Sequence, residues 1–167
     1  MTDDPAAGSA RSPAPVQQAT ISMLSQYLKD LSFENLQPPD FLERRLRPRG
    51  EASVDLTYEP LAATQFELSL KMKADAGIEG KPAYIIELDY RGRFEITGPG
   101  QPDVDRILSV RGASLLFPFA RAIIYQTTLD GGFPALSIQP VDFAALHRRR
   151  RLALARASGS TPPATVN

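Results

Sequence analysis

Residues 115–125 read LLFPFARAIIY, with Arg121 as the only charge, and the apolar run then stops at Asp130-Gly131-Gly132. Composition and spacing predict a helix here, and the glycines supply its end. A helix that is apolar nearly all the way round has to be covered on more than one side. A chain of 167 residues offers one domain and few layers with which to do this. A second copy of the same layer is the simplest cover, so self-association through a helix layer is expected.

The partner layer within one chain is a sheet. In residues 65–74, Phe66, Leu68, Leu70 and Met72 alternate with polar residues, the period of a half-buried strand. Residues 76–82, with Gly77 and Gly80, are expected to form a turn. Residues 84–94 then place Tyr84, Ile86, Leu88 and Tyr90 on one face and Ile85, Glu87, Asp89 and Arg91 on the other, with a bend expected near Gly92. An earlier strand spans 21–33, with Ile21, Met23, Tyr27, Leu31 and Phe33 inward and Asp30, Ser32 and Glu34 outward. Residues 52–58 supply a fourth. Helical signals open at Pro102-Asp103 and run to Gly112. Ser114 is expected to cap the main helix, with Pro118 tolerated in its first turn or marking a bend. A last helix starts at Asp142 and carries Phe143, Leu146 and Leu154 on one stripe. The predicted class is α+β, a four-stranded antiparallel sheet with helices packed on one face. The folded domain is expected over 20–156, between disordered, Ala/Ser/Pro-rich tails at 1–19 and 157–167.

Several function classes have no support. The chain has no cysteine and one histidine, His147, so thiolate metal sites and histidine-based triads are not expected. Neither GxxxxGK[ST] nor GxGxxG occurs, so no nucleotide loop and no cofactor are expected. No window reaches the roughly 18 apolar residues of a membrane span, and the N-terminal segment lacks the apolar core of a secretory signal. A cytoplasmic protein without enzymatic activity follows. The charge is zero overall but unevenly spread: residues 51–146 hold thirteen acids and eight bases, a balance of −5, and residues 147–167 hold five arginines and no acid. Most carboxylates read as solvated surface charge, and His147 as a helix-surface residue. The run Arg148 to Arg151 fits a helix C-terminus, where it complements the macrodipole. It also leaves open a nucleic-acid-binding module that uses a basic C-terminal helix.

The order helix, Gly-Gly-Phe-Pro, extended segment, Pro-Val-x-Phe-x-x-Leu in residues 115–146, together with KDLSFEN at 29–35, resembles the SecB family of bacterial export chaperones. The resemblance covers roughly residues 21–147. It implies a dimer of dimers with helices sandwiched between sheets. It also implies an ATP-independent function: holding unfolded precursors in the cytoplasm, translocation-competent, and delivering them to SecA, the motor of the Sec translocase. The family's SecA-docking positions fall on Asp30, Glu34, Ile85 and Glu87, all outward by the alternation above. Ile86, Leu88 and Tyr90 resemble positions at the oligomer interface. Candidates for the client-binding groove are Leu46, Phe117, Phe119, Phe133, Phe143 and Leu146. The chain departs from the family's pattern in lacking tryptophan, in its neutral charge and in its basic HRRRRLALAR tail. A SecB-like chaperone dedicated to one antitoxin shares the same motifs and is the nearest alternative.

Overall fold

The structure, a computed structural model, describes residues 19–37, 48–100 and 102–158. Four strands, β1 (Thr20–Asn35), β2 (Arg49–Pro60), β3 (Gln65–Ile78) and β4 (Lys81–Thr97), form one sheet in the order β1-β4-β3-β2. All three pairings are antiparallel, and the two edges are β1 and β2. Two helices follow: α1 over Val104–Asp130 and α2 over Phe143–Ser158.

The strand alternation holds where it was read in β3 and β4, but both strands are longer than expected. Residues 76–82 do contain a turn, but it is confined to two residues. The strands run on to Ile78 and Lys81 and are joined by Glu79 and Gly80, with φ of 51° and 79°. Two consecutive left-handed residues match the right-handed twist of a two-residue hairpin, and a glycine at one of them lowers the strain. Gly92 does not break β4, which continues to Thr97. Its role is close approach: a Cβ there would stand 2.7 Å from Leu116 of α1 and 2.9 Å from the ring of Phe94. The missing side chain lets the helix settle on the sheet.

β1 carries the more instructive correction. Register shifts between Met23 and Ser25 and between Leu28 and Asp30 reverse the alternation and then restore it. Ile21, Met23, Leu31 and Phe33 face the helices as expected. Tyr27, between the two bulges, pairs with Arg91 and lies on the other face. Asp30, Ser32 and Glu34, beyond the second bulge, recover the outward side.

α1 starts under Asp103, whose side chain accepts the Arg106 amide at 3.0 Å. It passes through a π-helical stretch, Ile107–Gly112, without interruption. Ser114 therefore caps nothing, because no helix begins there; its hydroxyl donates to the Val110 carbonyl at 2.6 Å. Pro118 sits well inside the helix rather than in a first turn. Its ring crowds the carbonyl four residues earlier, and the widened π turn lies just upstream of that position. At 27 residues α1 is long and apolar enough to span a membrane by length and composition, contrary to the expectation from sequence windows. It is instead packed as a core helix along one stripe. Ala113, Leu116, Ala120 and Ile124 are fully buried against Leu68, Leu70, Ile86 and Phe94 of the sheet. Each fully buried leucine or isoleucine side chain contributes about 1.5–3 kcal/mol.

The connection from α1 to α2 has no regular structure, and side chains of α1 help to hold it. Thr128, fully buried, donates from Oγ1 to the helix carbonyl of Tyr125 at 2.9 Å and accepts the Leu136 amide at 2.9 Å. Arg121 lies over the Phe117 ring at 5.8 Å and donates to the Ile138 carbonyl. Asp142 caps α2 by accepting the Ala145 amide at 2.8 Å. Thr128→Val keeps the shape of the side chain but orphans the Leu136 amide. The variant should lose about 1–3 kcal/mol in urea denaturation, and an unchanged midpoint would show that the segment is held by other means.

Candidate functional site

Three surfaces carry unsatisfied binding capacity, and each arises from a different part of the fold. The first is the face of the sheet turned away from the helices. The β1–β4 register sets Asp30 opposite Asp89, Ser32 opposite Glu87 and Glu34 opposite Ile85, and β3 adds Lys73 opposite Glu87 and Asp75 opposite Ile85. The four expected docking residues thus come together on one face, with the half-buried Ile85 flanked by acids. Glu87 is not free: Lys73 Nζ holds its carboxylate at 2.9 Å, with both side chains about half exposed. An exposed pair of this kind is screened by solvent and contributes little to stability, so a charged partner can displace it.

The same face contains a network that sequence reading missed. Glu67 accepts from Arg91 at 3.0 Å, from Tyr27 at 3.0 Å and from Arg93 at 3.4 Å. Arg91 also pairs with Asp89 at 3.0 Å, and Ser69 donates to Asp89 at 2.7 Å. Glu67 is only 6% exposed, so it is not the solvated carboxylate that its outward parity suggests. Tyr27 reaches it only because of the bulges in β1. Burial alone would raise the Glu67 carboxyl, but the hydrogen bonds from Arg91, Tyr27 and Arg93 together outweigh it and hold the group below the usual carboxylate range. Asp89 follows the same pattern: burial opposes ionisation, and Arg91 and Ser69 overcome it.

The second surface is the uncovered side of α1 and its neighbour β1. Leu115, Phe119, Tyr125 and Leu129 are 42–49% exposed along the helix, and Met23, Leu28 and Leu31 are exposed on the inner face of β1. Phe119 stacks on Tyr90 at 6.3 Å, and Tyr90 pairs across the sheet with Leu28, so the helix stripe and the edge strand form one apolar area. Large contiguous apolar patches on a small domain mark association sites. Ile86, Leu88 and Tyr90 lie beneath this layer, at most 7% exposed, and are covered within a single chain. Any part they play in an interface therefore acts through the helix above them.

The third surface is a cavity of about 430 Å³ between the edge strand β2 and α2, lined by Val54, Leu56, Leu146, Arg149, Arg150 and Ala153 among others. Of the expected groove residues, Leu146 lines it. Phe117 and Phe143 pack edge-to-face at 5.6 Å, buried just before that turn of α2. Phe133 belongs elsewhere, packed on Tyr84 at 4.8 Å beside Phe33, and Phe119 lies on the apolar stripe of α1. Leu46 lies outside the described residues. Val54, Leu56 and Ala153 were not legible as site residues, because nothing in their spacing marks them apart from core.

α2 revises two further expectations. His147 is not a surface residue; its ring, 11% exposed, faces Asp105 at 3.6 Å between the two helices. The run Arg148 to Arg151 lies in mid-helix, since α2 continues past the expected boundary at 156 to Ser158. Arg156 alone occupies the last turn, and the macrodipole does not explain the run. Leu154 extends the Phe143–Leu146 stripe beyond the body of the domain and is 60% exposed.

Among the described residues no group of three His, Cys, Asp or Glu side chains is placed to hold a metal ion. What the geometry offers is a sheet with one acidic face, one helix-covered apolar face and an open edge beside a helix. These features define an α+β binding scaffold that works by presenting surfaces. A family model described as preprotein translocase subunit SecB matches residues 14–153. The chain is 38% identical over 144 residues to protein-export protein SecB of Parvibaculum lavamentivorans, covering 86% of both. It is 41% identical over 154 residues to that of Hyphomonas neptunium, covering 89% of both. Against the Caulobacter vibrioides protein of the same name it is 36% identical over 152 residues, covering 90% of this chain and 93% of the other. A Mycobacterium tuberculosis SecB-like chaperone, solved with a peptide from an antitoxin, shares the fold with a TM-score of 0.60 at 11% identity. That match covers 72% of this chain and 90% of the other. The chain belongs to the SecB family, and its function is that of a protein-export chaperone. The export relatives favour this reading over the antitoxin-dedicated and nucleic-acid alternatives.

The buried carboxylates set an acid limit on the fold. Their depressed folded-state values mean that ionised Glu67 and Asp89 stabilise the protein above the ordinary carboxylate pKa. That contribution is lost as pH falls through the folded values. Glu67→Gln should therefore lower Tm at about pH 7, and the gap to the unmodified protein should close toward about pH 3. A gap independent of pH would mean that the Glu67 charge contributes nothing.

Proposed function

We propose that this chain acts in the cytoplasm as a homotetramer, a dimer of dimers, holding unfolded precursors without nucleotide, cofactor or covalent chemistry and passing them to SecA. The observation that carries this reading is the separation of surfaces: the acidic face lies on the side of the sheet opposite the exposed apolar stripe of α1. One protein can then assemble through one face and dock through the other without competition.

Client holding is mass action: a ligand of the unfolded state draws population away from aggregation. The β2–α2 cavity is our candidate for the groove, with Leu146 at its wall and the Phe117–Phe143 pair beside it. Edge-strand pairing supplies main-chain hydrogen bonds to any sequence, and the apolar wall takes side chains. Several such grooves in one tetramer give avidity from weak contacts.

Assembly is assigned to the apolar stripe of α1 and the exposed inner face of β1. Phe119→Arg places a charge where the single chain leaves the ring 45% exposed. Light scattering should show a smaller particle with an unchanged circular dichroism spectrum, and a persistent tetramer would move the interface elsewhere. SecA docking is assigned to Asp30, Glu34, Ile85 and Glu87. Acids around a half-exposed aliphatic suit a basic partner and set its on-rate. Glu87→Arg should weaken SecA binding by about tenfold or more while leaving aggregation suppression intact. Unchanged affinity for SecA would remove the docking role from this face.

A further inference from the structure

Among the described residues no strand pairs with the outer edge of β2, and that edge is met by a side chain of the protein itself. Arg150 Nη1 donates to the Leu56 carbonyl at 2.7 Å. β2 pairs on its other side with β3, so the carbonyl that Arg150 reaches points away from the sheet. In an antiparallel strand the outward-pointing groups recur at every second residue. Val54 and Tyr58 therefore present their amides and carbonyls along the same edge. Val54, Leu56 and Tyr58 pair with Met72, Leu70 and Leu68, which places their side chains on the face turned toward the helices. The backbone edge and the side chains of Val54 and Leu56 thus converge on the same cavity of about 430 Å³. The guanidinium takes up the central acceptor.

The lining is also one-sided in charge. Arg149 and Arg150 border the cavity from α2, and His147 faces Asp105 there. The acid on the lining, Asp55, pairs with Lys71 and so belongs to the opposite face of the sheet.

We propose that Arg150 is a displaceable plug and the specificity-determining residue of this groove, which takes extended apolar segments carrying an aspartate or glutamate. A client strand laid along β2 brings its own amide to the Leu56 carbonyl. The displaced guanidinium then pairs with the client's carboxylate beside Arg149. A client with lysine or arginine at that place loses the pairing and meets two cations, while Arg150 keeps the acceptor. This rests on the reading of the β2–α2 cavity as the client groove.

The test uses the full-length protein and two fluorescent peptides of one extended apolar sequence, one bearing glutamate and the other lysine at the central position. A charge-assisted hydrogen bond gives a preference of about tenfold for the glutamate peptide in polarization titrations. Arg150→Met keeps the aliphatic stem and removes the charge. It should tighten binding of the lysine peptide, now that the acceptor is vacant, and bring the two affinities within about twofold. An unchanged preference, or equal weakening for both peptides, overturns the proposal. Ala153→Trp, which fills the cavity, separates the two levels of the argument. Loss of both peptides in this variant, with no response to Arg150→Met, leaves the groove standing and removes Arg150 from it. Binding of both peptides unaffected by Ala153→Trp overturns the groove reading and the proposal together. Circular dichroism confirms that each variant is folded.

Discussion

The packing of α1 on the sheet is the constraint on which the other features depend. The helix approaches β4 closely because Gly92 has no side chain, and Leu116 and the Phe94 ring fill the space. Once the stripe from Ala113 to Thr128 is buried, the rest of a nearly all-apolar helix is left outside, with Leu115, Phe119, Tyr125 and Leu129 exposed. Two layers cannot cover such a helix on both sides. The exposed stripe is thus a geometric remainder of the same hydrophobicity that drives the core together, and it is the surface to which we assign the proposed association.

Among the described residues the sheet's other face carries no helix, and that face is stabilised differently. Glu67, Arg91, Asp89, Tyr27 and Ser69 lock β1, β3 and β4 together through charge-assisted hydrogen bonds that shelter one another from water. Such a network is specific in geometry and costly if half made, so it favours one register of the strands. It leaves the neighbouring acids Asp30, Glu34 and Glu87 unburied, with Glu87 held by the exposed Lys73. A mostly apolar patch in the same place would compete with the stripe of α1 for self-association.

Alternation in β3 and β4, the stop of α1 at the glycines and the cap at Asp142 were all legible, since each depends on neighbours within a few residues. Misreadings occurred where a distant partner sets the outcome. Tyr27 changes face because of two bulges that no local signal marks. Ser114 turns inward to the Val110 carbonyl because the π stretch carries the helix through it. Residues 76–82 carry turn-like glycines, yet pairing across the hairpin absorbs all but Glu79 and Gly80. The acids of the proposed docking face were placed by parity alone. The aromatic candidates for the groove were scattered, because Phe117, Phe133 and Phe143 are needed by the core first.

By itself the sequence determined the class of fold, the apolar helix that demands cover, the two-faced strands and the family, because all of these are written in periodicity and in the order of short motifs. Only the tertiary structure decided which carboxylates are buried, that His147 meets Asp105, and that the arginine run lies in mid-helix with Arg150 on the open edge of β2. Those outcomes depend on groups tens of residues apart meeting in space. Burial and hydrogen bonding between them are properties of the packed chain, and no local pattern encodes them.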